Sequence, residues 1–279
     1  METMNWIQWM QNRSSVRTFE NRDVQEDTMD QLNQAIDDVN RTLSEKAFFK
    51  LIQNKSNGEE AQKLGTYGII QGTRNFIAVI TTQEEVNALE LGYYIEKVVL
   101  IATGLGLGTC WLGGTFDRSS FEDHLSLKND EKLVILIAFG YKKNKQSMIE
   151  STMRILAKSN QRKPSSELFL EGDGETALDL ISIGDYSKVL KMVRIAPSAS
   201  NKQPWRIVKD KDYFHFYLSR TPGYGIMNYD LQLNDIGIAK CHFEFSAFEL
   251  NLKGEWKTSS SVPEISNWTY VTSWLNHHD

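Results

Sequence analysis

The chain has 279 residues and a mass of 32.0 kDa, which allows one large domain or two small ones. Its 31 Lys and Arg against 36 Asp and Glu give a net charge of −5, which argues against a protein that binds duplex nucleic acid through a basic face. The longest apolar run, 133–139, is too short to cross a bilayer, and two cysteines make neither a disulfide framework nor a zinc site.

The predicted elements mix helices and strands. The N-terminus lacks the basic-then-apolar order of a secretion signal, so we expect a soluble, cytoplasmic protein that binds no membrane. A helix with Trp6 and Trp9 comes first, and apolar residues at three- and four-residue steps predict an amphipathic helix over 25–43. The later predicted elements are a strand over 75–82, an apolar helix over 88–107, a strand over 132–141, short helices over 147–159 and 186–193, a hairpin formed by 205–209 and 213–219, and a long helix over 234–252.

Two segments of the chain resemble each other. Gly92 to Trp111 and Gly237 to Trp256 have the same spacing, and several apolar positions match between them. Two buried helices could share such a pattern by chance, but the agreement favours an internal duplication. The segments differ where their helices end, since Gly104, Gly106, Gly108, Gly113 and Gly114 in the first correspond to Glu249, Asn251, Lys253, Thr258 and Ser259 in the second. If the halves are related, only the first kept a glycine-rich exit.

The segment Arg13-Ser14-Ser15-Val16-Arg17 is the first candidate for chemistry. Two guanidinium groups with intervening hydroxyls and backbone N–H groups suit a phosphate, because arginine supplies forked, charge-assisted donors. A solvated charged turn would have the same sequence, and short basic motifs recur by chance. The spacing alone leaves both interpretations open.

A polar loop, Ala196-Pro197-Ser198-Ala199-Ser200-Asn201-Lys202-Gln203-Pro204-Trp205, is the second candidate. Two prolines stiffen a segment rich in hydrogen-bonding side chains, which suits recognition of the edge of a planar heterocycle. An ordinary turn before a strand is the alternative. The length and composition of this loop favour a function.

The third candidate is the glycine-rich segment over 104–114. Its glycine spacing is reminiscent of a dinucleotide-binding fingerprint, but that motif follows a strand and opens a helix, whereas this segment closes a helix. We therefore reject a Rossmann site. A helix C-cap would explain Gly106 or Gly108, but it does not explain Gly113 and Gly114, which could admit a ligand close to the backbone.

At these three segments, and at the Phe-Gly-Tyr-Lys-Lys strand end, the chain resembles the FMN-dependent nitroreductase family. It is especially similar to members in which two subunit-like halves are fused in one chain. The matching motifs span residues 13–205. The resemblance implies an α+β fold with an antiparallel-rich sheet packed by long central helices. It also implies a pseudo-dimer with halves at 1–162 and 177–279 and a connector at 163–176, which needs no partner chain for its site.

One departure from the family pattern concerns motif order. In the family the polar loop follows soon after the Arg-Ser start, whereas here it lies in the second half, and the segment 48–72 that stands in its place lacks the motif. Family dimers bind the flavin at the subunit interface with groups from both chains. The resemblance therefore implies one composite flavin site per chain, with the mirror-related site lost.

The resemblance also implies roles for individual residues. Those near the FMN phosphate and ribityl chain would be Arg13, Ser14, Ser15 and Arg17, joined by Lys142 and Lys143. A solvated charge run explains the two lysines equally well. Those lining the isoalloxazine would be Pro197, Ser198, Ala199, Asn201 and Gln203. Gly113 and Gly114 would place a backbone N–H near flavin N5.

The implied activity is hydride transfer from NADH or NADPH, through FMN, to a small-molecule acceptor such as a nitroaromatic or a quinone. The flavin would carry the chemistry, so no catalytic side chain is expected. The five histidines do not gather at metal-ligand spacing, and His242, within an apolar helix, is typical of a satisfied core residue. Two alternatives are a flavin-binding carrier or sensor without turnover, and a structural relic that uses the fold only for association.

Overall fold

A computed structural model describes residues 4–43, 46–53, 65–82, 87–144, 161–225 and 229–277. The helices are α1 (Trp6–Asn12), α2 (Glu26–Thr42), α3 (Ala88–Gly104), α4 (Arg118–Leu125), α5 (Ser165–Leu168), α6 (Tyr186–Ile195) and α7 (Leu231–Glu249), with a 3-10 turn at Ala199–Asn201. The strands are β1 (Ala47–Gln53), β2 (Asn75–Thr81), β3 (Gly108–Leu112), β4 (Lys132–Gly140), β5 (Phe169–Glu171), β6 (Trp205–Asp210), β7 (Tyr213–Leu218), β8 (Gly254–Lys257) and β9 (Thr269–Asn276).

The chain divides into two compact units. The four-stranded unit comprises Asn12–Val86 and Lys97–Leu156, and the five-stranded unit comprises Met1–Gln11, Asn87–Glu96 and Ala157–Asp279. The five-stranded unit includes α1 because Trp6 stacks on Phe245 of α7 with ring centroids 4.1 Å apart. The halves implied by the resemblance, 1–162 and 177–279, stay a prediction.

The four-stranded unit contains an antiparallel sheet of order β1-β2-β4-β3. Strands β2 and β4 lie at its centre and are buried almost throughout, as their unbroken apolar sequences require. Helix α2 packs on β1, where Asn40 exchanges side-chain hydrogen bonds with the backbone N–H and carbonyl of Phe49 at 2.7 and 2.9 Å. Its apolar stripe, which includes Leu32 and Val39, is buried.

The five-stranded unit contains a sheet of order β5-β6-β7-β9-β8, in which only the β5–β6 pair is parallel. Aromatic side chains form much of its core. Phe243 of α7 lies within 5.8 Å, centroid to centroid, of Phe214, Phe216, Trp256 and Trp274 on three neighbouring strands. These contacts hold α7 against the sheet.

The two sheets share a strand order and a register. β1-β2-β4-β3 and β6-β7-β9-β8 are both antiparallel, and α3 or α7 connects the second strand to the third along the chain. Trp111 pairs with Ile137 in one sheet, and the corresponding Trp256 pairs with Trp274 in the other. A β-bulge interrupts the central pair at the same place in each. Bulges are specific features of a fold, so this agreement supports the internal duplication.

Helices α3 and α7 cross closely within the five-stranded unit. A Cβ added to Gly92 would lie 2.1 Å from the carbonyl oxygen of Asn234, and a Cβ added to Gly237 would lie 2.1 Å from that of Leu89. Gly92 corresponds to Gly237 in the repeat, and Leu89 corresponds to Asn234. The contact is therefore reciprocal, as in the interface of a two-fold symmetric dimer.

The structure confirms the α+β fold and most of the predicted elements. The helices predicted over 25–43, 88–107, 186–193 and 234–252, the strands over 75–82 and 132–141, and the hairpin at 205–219 are present with small shifts at their ends. The helix predicted over 147–159 lies outside the described residues. The predicted connector, 163–176, contains α5 and β5. None of the described helices is long and apolar enough to span a membrane.

Candidate functional site

The basic residues of the four-stranded unit lie where the backbone of the N-terminal segment pairs with two strand ends. The backbone N–H of Val16 donates to the carbonyl of Thr109, at the start of β3, at 2.8 Å. A few residues further on, Phe19 pairs with Lys142, just after the end of β4. The pairing places the end of β4 beside the residues that directly follow the Arg-Ser segment, although the two are far apart in sequence. We define the basic cluster as Arg13, Arg17, Lys142 and Lys143.

Arg17 contains a donor that lacks an acceptor. Its Nη1 is buried and has no hydrogen-bond partner within the described residues. Buried N–H groups are nearly always satisfied, so this donor fits an acceptor that comes from outside the chain. An anionic oxygen is the strongest partner for a guanidinium. Lys142 and Lys143 are exposed, and Ser14 and Ser15 are half-buried.

The glycine-rich segment closes α3, as the sequence predicts. Gly106, with φ of 79°, ends the helix in a left-handed cap, and the N–H of Leu107 donates to the carbonyl of Ala102 at 2.9 Å. The same cap ends α7, where Asn251 has φ of 58°. The glycine at 106 is therefore a helix cap and needs no ligand to explain it.

Gly108, unlike Gly106, is explained by close packing between two segments of the chain. A Cβ at this position would lie 2.8 Å from Cγ2 of Val16, so the missing side chain lets the Arg13–Arg17 segment approach β3. Gly113 and Gly114 directly follow β3. A Cβ on Gly114 would meet no described atom within 4 Å, so packing within the described chain does not require a glycine there.

The polar loop, 197–203, connects α6 to β6 in the five-stranded unit. Ser200, Asn201 and Gln203 have φ of 47°, 55° and 48°, which lie in the left-handed region. Each non-glycine residue in that region costs about 1 kcal/mol or more. Other contacts must therefore hold this loop in place.

Side-chain hydrogen bonds within the loop supply part of that restraint. The N–H of Gln203 donates to Ser198 Oγ at 2.9 Å, and Gln203 Nε2 donates to Asn201 Oδ1 at 3.2 Å. Two residues that lie just before α5 also contact the loop. Arg162 Nη1 donates to Asn201 Oδ1 at 3.2 Å, and the N–H of Lys163 donates to Gln203 Oε1 at 2.9 Å. The polar side chains predicted to meet a ligand thus take part in shaping the loop.

Arg206 restrains the end of the loop. Its Nη1 donates to the carbonyls of Gln203 and Trp205 at 3.2 and 2.8 Å, and its Nη2 donates to Glu167 at 2.7 Å. Burial lowers the pKa of Arg206, and the neighbouring Glu167 carboxylate opposes that shift. The guanidinium ties the loop to α5.

A buried carboxyl group of α7 contacts the start of the same loop. Both oxygens of Asp235 lie 3.1 Å from the N–H of Ala199, and the residue is 1% exposed. Burial raises the pKa of Asp235 well above its ordinary range, although the bond from Ala199 acts in the opposite direction. Asp235 is the only fully buried aspartate among the described residues.

The sequence motifs predict some residues of the candidate site and miss others. The structure places the basic cluster and Gly113–Gly114 in the four-stranded unit and the polar loop in the five-stranded unit. The contacts of Arg162, Arg206 and Asp235 with the loop were not predicted. A carboxylate directly before the apolar run 236–239 was the available signal for Asp235.

His242 is a satisfied core residue, as predicted. It is fully buried, with Nδ1 2.9 Å from the carbonyl of Met192 and Nε2 3.0 Å from Glu96 Oε1. Among the described residues, no group of three or more His, Cys, Asp or Glu side chains could hold a metal ion.

Comparison with known proteins places the chain in a family. Residues 5–247 match the family described as "Putative TM nitroreductase". A "putative nitroreductase" from Thermotoga maritima MSB8 is 20% identical, with 99% of this chain and 95% of that chain covered and a TM-score of 0.60. At this identity the likeness shows a shared fold. No curated protein sequence matches the chain significantly.

Other solved structures match about half of the chain. A nitroreductase family protein from Clostridium difficile 630 is 19% identical over 59% of this chain and 96% of that chain, with a TM-score of 0.42. An FMN-dependent nitroreductase from Clostridium difficile R20291 is 17% identical over 52% of this chain and 92% of that chain, with a TM-score of 0.38.

Proposed function

Because the chain belongs to the "Putative TM nitroreductase" family, we propose that it is an FMN-dependent oxidoreductase. It would take hydride from NADH or NADPH and deliver it to a small electron-poor acceptor, such as a nitroaromatic or a quinone. The chemistry supplied by bound FMN is acceptance and donation of hydride. The chain's own residues then need only bind the flavin and orient its partners, which supplies proximity.

The orphaned donor of Arg17 carries this proposal. FMN ends in a phosphate, and a buried guanidinium N–H without an acceptor matches an anionic oxygen. Arg13 and the backbone around Ser14 and Ser15 would complete the phosphate end, and Lys142 and Lys143 would add positive charge. The donor set therefore fits the group that the family resemblance implies.

The polar loop would serve the ring system. Pro197, Ser198, Ala199, Asn201 and Gln203 remain predicted flavin contacts. Gln203 is 3% exposed and its amide is engaged by Lys163 and Asn201, so its part would be to hold the loop in shape. Gly113 and Gly114 would offer backbone N–H groups, since the space beside Gly114 is open. These assignments require no acid or base from the protein.

Flavin binding is tested with the purified protein. The wild type is expected to be yellow, or to take up added FMN with tight binding, and the double variant Arg13→Ala/Arg17→Ala is expected to lose FMN. Arg41→Ala, an exposed arginine of α2 in the same unit, is the matched control and should keep it. A colourless wild type that takes up no FMN would overturn the proposal.

The reductase activity needs a separate measurement. Anaerobic NADH or NADPH should bleach the flavin of the loaded protein, and steady-state oxidation of the nucleotide should follow when a quinone is added. A protein that binds FMN but shows neither reaction would be a flavin-binding carrier or sensor.

A further inference from the structure

Asp235 lies one turn into α7 with its carboxyl group directed at another element. Both oxygens lie 3.1 Å from the N–H of Ala199, the first residue of the 3-10 turn in the polar loop. The first N–H groups of a helical turn have no partner within the turn, so a carboxylate from outside can satisfy them. Asp235 thus holds the loop at the residue just before its left-handed stretch.

This carboxyl group is costly for stability. Burial raises the pKa of Asp235, and Asp230 and Glu96 raise it further, while the Ala199 N–H lowers it. Burial and the charge of Asp235 also raise the pKa of Tyr229. The unfolded carboxyl ionises near pH 3.8 and the folded one only at higher pH, so stability falls as the pH rises from 3.8 to the folded pKa and stays lower above it. Ionising this buried carboxyl group in the folded state lowers stability, so a carboxyl group at this position needs a reason other than packing.

The loop supplies that reason. Ser200, Asn201 and Gln203 keep strained φ angles only if their surroundings hold them there. Tyr224 donates to Ser200 Oγ at 2.7 Å on the exposed side of the loop, whereas Asp235 accepts the loop's hydrogen bond from Ala199 on the buried side. The acceptor for Ala199 belongs to a long, well-packed helix, which is a rigid support for a functional loop.

We propose that Asp235 is a positioning residue for the flavin ring, because its carboxyl group fixes Ala199 and, with it, the loop against which the isoalloxazine would lie. This inference rests on the proposed function. It assigns Asp235 no contact with the flavin and no proton transfer. Its effect would reach the ring through the backbone of the loop.

The test compares the affinities of variants for FMN and for riboflavin, which lacks the phosphate. Asp235→Ala should weaken the binding of both flavins about tenfold and leave their ratio unchanged, since the N–H of Ala199 loses its acceptor. Arg17→Ala should weaken FMN binding alone. Asp235→Asn keeps an acceptor oxygen and should stay within about threefold of the wild type. Asp230→Ala removes the N-cap of α7 without touching Ala199, and it is the matched control for general loss of stability.

A second readout uses the protein without flavin. Amide hydrogen exchange of a peptide covering 198–204 should become faster in Asp235→Ala but not in Asp230→Ala. If Asp235→Ala does not fold, Ala199→Pro removes the same hydrogen bond from the other side, at a position where proline is tolerated, and should give the same loss for both flavins.

Three results would overturn the inference. In the first, Asp235→Ala, or Ala199→Pro in its place, binds both flavins as tightly as the wild type. In the second, it weakens them no more than Asp230→Ala does. In the third, exchange over 198–204 is unchanged. If the wild type itself binds neither FMN nor riboflavin, the proposed function fails instead, and the exchange data then report only whether Asp235 orders the loop.

Discussion

The segments that directly follow α3 and α7, which we call the exits, have the same backbone conformation and different side chains. Gly106 and Asn251 cap the two helices in the same left-handed conformation, and β3 and β8 then pair with their neighbours in the same register. After the cap, the first exit has Gly108 and the second has Lys253. The first admits a second segment of chain beside β3, the one that carries the arginines.

The comparison shows which positions the duplicated fold constrains and which it leaves free. Cap geometry, strand order, register and bulge are common to both copies because a sheet and its connecting helix need them. The residue after the cap is not fixed by those needs. A single glycine there changes what can lie beside the strand, and the proposed phosphate end depends on it.

The largest expected effect comes from the reciprocal helix crossing. In an exposed helix Gly→Ala stabilises by about 1 kcal/mol. Gly92→Ala and Gly237→Ala should instead each lower the free energy of unfolding by about 3 kcal/mol, because the added Cβ would lie 2.1 Å from a carbonyl oxygen. Urea unfolding measures this loss. Gly172→Ala, whose Cβ would come no closer than 3.3 Å to a flexible side chain, should change little.

Equal losses at Gly92 and Gly237 would sharpen the comparison, since they would show that both copies depend on the crossing alike. A stabilised variant at either position would contradict the close crossing of α3 and α7.

The next effect distinguishes the two exits. Gly108→Ala should lower the free energy of unfolding by about 1–2 kcal/mol and weaken FMN binding, because the new Cβ would lie 2.8 Å from Val16 Cγ2. Lys253→Ala, at the matching position, should cost less than about 0.5 kcal/mol. Urea unfolding and FMN titration measure both effects.

Adding Val16→Ala to Gly108→Ala should recover part of the loss, because it removes the atoms that clash. Purely additive effects would mean that the segment and β3 are not in contact at this point.

The smallest effect concerns the pH dependence of stability. It comes from His215 of β7, which occupies the sheet position that Ala78 occupies in β2. Burial lowers the pKa of His215, whose Nδ1 lies 2.7 Å from Ser273 Oγ. The unfolded histidine takes up a proton near pH 6.5 and the folded one only at lower pH, so stability should be full above pH 6.5 and fall as the pH falls below it. His215→Asn should flatten this slope in thermal unfolding between pH 8 and about pH 5.

His124→Gln changes an exposed histidine of α4 and should leave the slope as it is in the wild type. An unchanged slope in His215→Asn would show that the decline at acid pH has another origin.

Sequence periodicity predicts the elements whose burial is uniform along the chain. Helix α7 and strand β4 bury their apolar residues in an unbroken pattern, and both were predicted. Strand β8 was not, because its four residues alternate in burial and Glu255 and Lys257 are exposed. Strand β3 follows a helix cap within a glycine-rich stretch, so its local sequence favours a loop over a strand.

The site shows the same division between local and long-range information. The Arg-Ser segment and the polar loop are visible as motifs because their residues are contiguous. The pairing of Phe19 with Lys142 and the bond from Ala199 to Asp235 join residues that are remote in sequence. No local pattern encodes such pairings, which depend on the complete sheet and helix arrangement.

The bulge at Val134, opposite Val79 and Ile80, recurs at Val271, opposite Phe216 and Tyr217. Every position around one bulge thus has a counterpart around the other with the same backbone geometry and other neighbours. A scan of substitutions along these strands would measure each side chain twice in a single polypeptide, and the difference between paired results would isolate the influence of the surroundings from that of the backbone.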